Sequence, residues 1–269
     1  MMSQSQRTIL EPSRELKVCH ETGVLVVGGG PAGVAAAVAA ARNGAATTLV
    51  ERYNHLGGMA TGGLVILIPN MSAGTEQQEI AGICDEMMQR LDAKGGARHP
   101  QRRHLGSDDP KLTEKLKHYH DFVVDGRVRM SVIVDPELLK CVMSEMVEEA
   151  GVKLYLHSWA GRALVDGDHV QGIAFESKSG RQAILSRTTI DTTGDGDILA
   201  TAGAEFDGVV DPSLRCAAVA MVWRMGDVDF PAYSEFRYSD PEAFKALMGE
   251  MREAAGLDVF AMPTHRDDK

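Results

Sequence analysis

Aromatic residues make up only 5% of the 269-residue chain, and cysteine occurs four times, as Cys19, Cys84, Cys141 and Cys216. No two cysteines form a CxxC pair and none has a histidine at ligand spacing, which excludes a readable zinc knuckle or redox dithiol. Buried free thiols in a reducing compartment are the expectation. The charged opening MMSQSQRTILEPSRELKVCHETG lacks the unbroken apolar stretch of a signal peptide. Nowhere does the sequence approach the ~20 apolar residues of a membrane span, so a cytoplasmic protein with no membrane partner is expected. Basic side chains number 28 against 38 acidic ones, for a net charge of −10, which repels a polyphosphate backbone and argues against a nucleic-acid partner.

What the sequence does hold is glycine, 28 residues of it, beside 44% hydrophobic residues, a profile that suits an α/β nucleotide-binding protein. Val24 to Val27 reads as a short buried strand. An Ala-rich helix follows from Pro31 to Arg42, with Gly44 at its stop, and Ala46 to Val50 reads as a second buried strand. Strand, helix and strand within about 30 residues make a βαβ unit with parallel strands.

Further on, Thr75-x-x-Gln78 predicts a capping box ahead of an amphipathic helix through Ile80, Ile83, Cys84, Met87, Met88 and Leu91, ending at Gly95-Gly96. Residues 97 to 117 read as an exposed, mobile loop. Asp135-Pro136 predicts a capped helix with Leu139, Val142, Met143, Met146 and Val147 on its core side. Segments 152–156, 160–166, 171–177 and 181–186 suggest a small antiparallel meander, and Thr188 to Asp191 a last core strand. Beyond Gly208 a strand-like Ala217 to Arg224 precedes a helix capped at Asp240-Pro241. The expected fold class is α/β. Residues 1–208 would form a Rossmann-type domain with a parallel sheet, a small antiparallel meander and an excursion over about 65–133, and residues 209–269 would begin an incomplete substrate or cap domain.

The chemistry concentrates at Gly28-Gly-Gly30-Pro31-Ala32-Gly33, a G-x-G-x-x-G run between a strand and a helix. Gly28 permits the tight turn, Gly30 lets backbone approach a pyrophosphate, and Gly33 lets helix and strand pack closely. The helix N-terminus adds free N–H groups and about half a positive charge. Glu51 ends the second strand 18 residues after Gly33, where a carboxylate accepts hydrogen bonds from ribose hydroxyls and disfavours a 2′-phosphate.

The stretch GVLVVGGGPAGVAAAVAAARNGAATTLVERYNHLGGMATGG is similar to the opening of the FAD-dependent oxidoreductases related to the fumarate reductase and succinate dehydrogenase flavoproteins. VDPELLKCVMSEMVEEAGVKLYLHSWA and IDTTGDGD resemble that family's later helix, adenine-side strand and second flavin motif. The resemblance implies FAD as cofactor. It also implies that Arg52 and the loop Leu56-Gly57-Gly58-Met59-Ala60-Thr61-Gly62-Gly63 pass along the pyrophosphate and flavin. Ala160 would lie beside the adenine, and Gly194-Asp195 near the ribityl and phosphate region. His55 is out of register for a covalent flavin link, so the FAD is expected to be non-covalent.

The expected function is hydride transfer between a small organic substrate and FAD. An FAD-binding subunit or fragment needing a partner chain, or a homo-oligomer completing the site, is the alternative. An NAD-dependent dehydrogenase would share only Gly28 to Glu51 and leave Gly57-Gly58 and Gly194-Asp195 unexplained. His118 and His120 can exchange protons near neutral pH, and the basic run at Arg98 to His104 can hold an anion, but both also fit a solvated surface. No catalytic residue follows from the sequence.

Overall fold

The computed structural model describes residues 9–10, 12–206, 222 and 224–256. In chain order the elements are β1 (Lys17–Val27), α1 (Pro31–Arg42), β2 (Thr47–Val50), β3 (Leu67–Ile68), α2 (Ile83–Ala93), β4 (Ala97–Arg98), α3 (Pro110–Leu116), β5 (Val123–Val124), β6 (Arg127–Val128), β7 (Val132–Val134), α4 (Pro136–Glu149), β8 (Lys153–Tyr155), β9 (Trp159–Asp166), β10 (His169–Ser177), β11 (Gly180–Asp191), α5 (Asp197–Thr201), α6 (Phe230–Ser239) and α7 (Pro241–Ala255). The chain divides into two compact units. The first is Met1–Gly29, Ala36–Asn54 and Ala150–Asp207; the second is Gly30–Ala35, His55–Glu149 and Gly208–Lys269.

The first unit is built on one sheet in the order β8-β2-β1-β11-β10-β9. β8, β2, β1 and β11 run parallel, while β10 and β9 continue the sheet antiparallel. This is the expected α/β architecture of Rossmann type. Every residue of β2 is buried, as a central parallel strand covered on both faces requires. Leu25, Val27, Val50, Ile173, Phe175, Ile184 and Ile198 form one core cluster of this unit. Between β1 and β2, α1 buries Val34, Ala37 and Val38, whose small side chains permit a close crossover, and Gly44 ends it at a φ of 86°.

Two strand readings change. Segment 152–156 does not join the meander: β8 pairs parallel with β2, because the helix before it returns the chain in the βαβ sense. Residues 180–191 form one continuous strand. β11 pairs antiparallel with β10 over its first half and parallel with β1 along its length, so no turn separates the two segments read from the sequence.

In the second unit, α4 is the predicted helix, with Asp135 Oδ1 accepting from the N–H groups of Glu137 and Leu138 and the five expected core residues buried. α2 starts later than predicted, at Ile83, behind Gly82. The Thr75 hydroxyl is engaged by Glu79 and Gln77 in a local turn, which removes it as a helix cap. Segment 97–117 is structured: β4 pairs with β7, and Asp109 caps α3 by accepting from Lys111 and Leu112. Cys141 is exposed, against the expectation of burial, while Cys19 and Cys84 are half-buried. Asp240 caps α7 as predicted. The predicted strand from Ala217 lies, Val222 and Arg224 apart, outside the described residues. No helix among the described residues is long and apolar enough to cross a membrane.

Candidate functional site

The Gly-rich turn joins β1 to α1 at the carboxyl end of the parallel strands. Gly28 has a φ of 101°, and a Cβ there would come within 2.5 Å of the Thr192 carbonyl oxygen and 2.9 Å of the Thr193 Cα. Only glycine fits, because the turn lies directly on the chain leaving β11. The Thr192 hydroxyl sits 2.8 Å from the carbonyl oxygens of both Val27 and Gly28, and the Thr192 N–H donates to Val27 at 2.9 Å. The first and last glycine motifs, some 160 residues apart in sequence, thus meet at neighbouring strand ends. β2 leaves on one side of β1 and β11 lies on the other, the position where open α/β sheets hold ligands.

Gly30 differs from Gly28. A Cβ built on it meets no atom within 4 Å among the described residues, so the backbone faces open ground in the direction a side chain would take. The Gly30 carbonyl accepts from Val34 N–H, the first hydrogen bond of α1, and Pro31 has no N–H to offer. The N–H groups of Ala32 and Gly33 fall in the first helical turn, where no intrahelical acceptor exists, and they carry the positive end of the helix dipole. Gly33 itself is buried.

Glu51 is 5% exposed at the end of β2. One carboxylate oxygen accepts from Gly29 N–H at 2.5 Å and the other from Tyr53 N–H at 2.7 Å. The carboxylate therefore does a job the sequence does not disclose: it fixes the Gly-rich turn. Each oxygen keeps a second lone pair for a hydroxyl donor.

Arg52 is exposed, and its guanidinium carbon lies 5.0 Å from the centre of the Tyr53 ring and 5.3 Å from that of Trp159. Backbone hydrogen bonds from His157 to Tyr53 and from Ser158 to Glu51, each 3.0 Å, tie these segments together. Ala160, next along β9, packs against the core cluster.

Gly194 has a φ of 88°, and with Asp195 it is exposed at the tip of the turn between β11 and α5. Asp191 organises that turn. Its Oδ1 accepts from the N–H and hydroxyl of Thr193, and its Oδ2 from the N–H groups of Ile198 and Leu199. Burial pushes its pKa upward, but the donors from Leu199, Thr193 and Ile198 outweigh burial and hold it below the ordinary carboxylate value. Asp191 and Thr192 were missed in the sequence; an acidic residue closing a strand just before a glycine turn was the available signal.

In the second unit, the loop Gly57 to Gly63 begins with left-handed residues, Gly57 at φ 105° and Gly58 at φ 46°. A Cβ on Gly57 would collide with Thr61, whose hydroxyl donates to the Leu56 carbonyl at 2.8 Å. A Cβ on Gly58 would stand 3.2 Å from the Gly30 Cα, so this loop closes on the Gly30 backbone. Met59 is 66% exposed. His55 packs its ring against Gly62. His118 and His120 are half-buried rather than surface groups, and the His118 ring meets Tyr238 edge-on with centroids 5.0 Å apart.

Among solved structures, the chain is similar to THI4 of Thermovibrio ammonificans, at 17% identity and TM-score 0.43, over 67% of this chain and 61% of that one. It is similar to a geranylgeranyl bacteriochlorophyll reductase-like protein of Thermoplasma acidophilum, at 16% identity and TM-score 0.46, over 69% and 43%. It is also similar to the open conformation of a flavocytochrome c3 fumarate reductase, at 23% identity and TM-score 0.40, over 65% and 34%. The chain thus matches between about a third and three fifths of the length of these proteins. The family model described as FAD dependent oxidoreductase matches residues 23–259, most of the chain. The protein belongs to the FAD dependent oxidoreductase family, and its cofactor is FAD.

Proposed function

We propose that the chain holds FAD non-covalently and exchanges a hydride between it and a small organic substrate. The observation that carries this reading is the open ground over Gly30, beside a turn locked by Glu51. A pyrophosphate needs bare backbone, free N–H groups and a positive dipole end, and Gly28, Gly30, Pro31, Ala32 and Gly33 offer that combination. The residues present fit the cofactor.

In this reading Glu51 accepts the ribose hydroxyls through its remaining lone pairs while keeping Gly29 and Tyr53 in place. Arg52 and Ala160 line the adenine side. Gly57, Gly58, Met59 and Thr61 line the flavin side, where the left-handed glycines bring backbone rather than side chain to the ligand. Gly194 and Asp195 take the ribityl and phosphate region, held there by Asp191 and Thr192. When bound, FAD supplies the two-electron redox chemistry, and the protein contributes binding, orientation and exclusion of water. His55, packed against Gly62, takes no covalent role.

The absorbance spectrum of the purified protein tests the reading. A flavin spectrum is expected, and boiling should release the yellow colour into the supernatant. Colourless protein that gains no flavin spectrum with added FAD would overturn the site, and colour retained on the denatured chain would overturn the non-covalent link.

A further inference from the structure

Aromatic residues are scarce in this chain, yet three of its seven phenylalanines and two of its five tyrosines fall between residues 230 and 244. They meet in the second unit, where α6 turns directly into α7 at Asp240. Phe244 of α7 lies edge-on to Tyr233 and Phe236 of α6, with ring centres 6.0 and 5.9 Å apart. Set into these rings is Arg237. Its guanidinium carbon lies 5.4 Å from the centre of the Tyr238 ring and 5.7 Å from that of Phe244, and its Nη1 donates to the Tyr233 hydroxyl at 3.2 Å. The Tyr238 ring is itself fixed, because its hydroxyl donates to the Lys117 carbonyl at 2.6 Å and His118 meets it edge-on.

No carboxylate among the described residues pairs with Arg237. The other cation at Tyr238, Lys117, is neutralised by Glu114, whose Oε1 lies 2.6 Å from Nζ. One positive charge is thus left over in half-buried surroundings. Burial there pushes the Tyr238 phenol above its ordinary value, although the Arg237 and Lys117 charges pull it down. Most of the Arg237 N–H donors are unspent and reached by solvent. We infer that Arg237 and the rings of Tyr233, Tyr238 and Phe244 form a binding site for a small organic monocarboxylate with an apolar body. A carboxylate matches the planar guanidinium through two parallel hydrogen bonds, and rings that shut out water strengthen such a pair. A single uncompensated cation suits one negative charge better than the nearly doubled charge of a phosphate monoester. The apolar body has ground to lie on at Phe236, which is 38% exposed on the same ring cluster. The site uses none of the groups assigned to FAD.

Calorimetric titration of phenylacetate, phenylacetamide and phenyl phosphate into the full chain with its flavin bound tests the site. Wild type should bind phenylacetate with a dissociation constant in the millimolar range or tighter, and the neutral amide at least about tenfold more weakly, as loss of a charge-assisted pair demands. Arg237→Gln should weaken phenylacetate by at least about tenfold and leave the amide within about twofold. Far-UV circular dichroism shows whether that variant keeps its helices. Arg237→Lys retains a cation over the rings but loses the fork, so it should stay folded and weaken phenylacetate by about threefold or more, which keeps the test decisive if the glutamine variant unfolds. Wild type that ignores millimolar phenylacetate, or binds acid and amide equally, would leave Arg237 as a staple between α6 and α7 and overturn the site. So would folded variants that bind phenylacetate as wild type does. Tighter binding of phenyl phosphate than of phenylacetate would overturn the monocarboxylate assignment.

Discussion

At Gly30 a Cβ meets nothing within 4 Å among the described residues, so the first carbon of a side chain there has room in the folded chain. What it occupies is the ground over the helix N-terminus. Gly30→Val should therefore raise the dissociation constant for FAD by at least about a hundredfold while the ligand-free protein melts within a few degrees of wild type. Fluorescence titration and a thermal scan check both halves. Glu51→Ala acts differently, because it strips acceptors from Gly29 and Tyr53 as well as from the ribose. Hydrogen bonds to a charged group contribute about 1.5–3 kcal/mol, so this variant should lose stability without ligand as well as affinity for FAD. Thr48 offers a test that needs no ligand. Its hydroxyl is fully buried in β2 and has no hydrogen-bond partner among the described residues. Thr48→Val keeps the shape and removes an unsatisfied polar atom, so it should stabilise the protein by about 1 kcal/mol in denaturant unfolding.

Asp191 belongs to the scale of elements, since its carboxylate joins the end of β11 to the first turn of α5. Its pKa is depressed in the folded state, so its contribution is present above the ordinary value of 3.8 and disappears as pH falls through the lower folded value. Asp191→Asn leaves an amide donor facing backbone donors and should cost about 1–3 kcal/mol near neutral pH. The gap in melting temperature between wild type and variant should narrow as pH is lowered below about 4. A gap independent of pH would refute the role. The same element shows what the sequence reveals and what it hides. Caps written as a local Asp-Pro pair are legible: Asp135 and Asp240 accept from backbone N–H groups in the first turns of α4 and α7, as the pattern predicts. Thr75 failed as a cap because Glu79, four residues on, competes for its hydroxyl. Asp109-Pro110 follows the same pattern as the two successes, but it lies in a polar run whose composition masked it. The sequence reading splits β11 because β10 accompanies only its first half while β1 runs beside nearly all of it, a fact about tertiary partners that local alternation does not carry.

For the whole molecule, the glycine turns were legible because each solves a local steric problem, at Gly28, Gly57 and Gly194. The groups that fix those turns, Glu51 on Gly29, Asp191 on α5 and Thr192 on Gly28, were hidden or only half seen. Their partners lie far off in sequence or act through backbone atoms that leave no residue signature. The consequence is a linkage between cofactor and stability. FAD bound only by the folded chain, at a free concentration of 100 times its dissociation constant, stabilises by about 2.7 kcal/mol. For a chain of this size each kcal/mol moves the melting temperature by about 2–4 °C, so added FAD should raise it by roughly 5–10 °C. Gly30→Val, measured at the same FAD concentration, should show almost none of that rise, because its fold survives and its pyrophosphate ground does not. FMN at equal concentration should stabilise wild type less than FAD, since it lacks the ribose that Glu51 accepts and the second phosphate that the helix terminus attracts. Equal shifts with FAD and FMN, or a Gly30→Val variant stabilised as much as wild type, would place the cofactor somewhere other than the turn between β1 and α1.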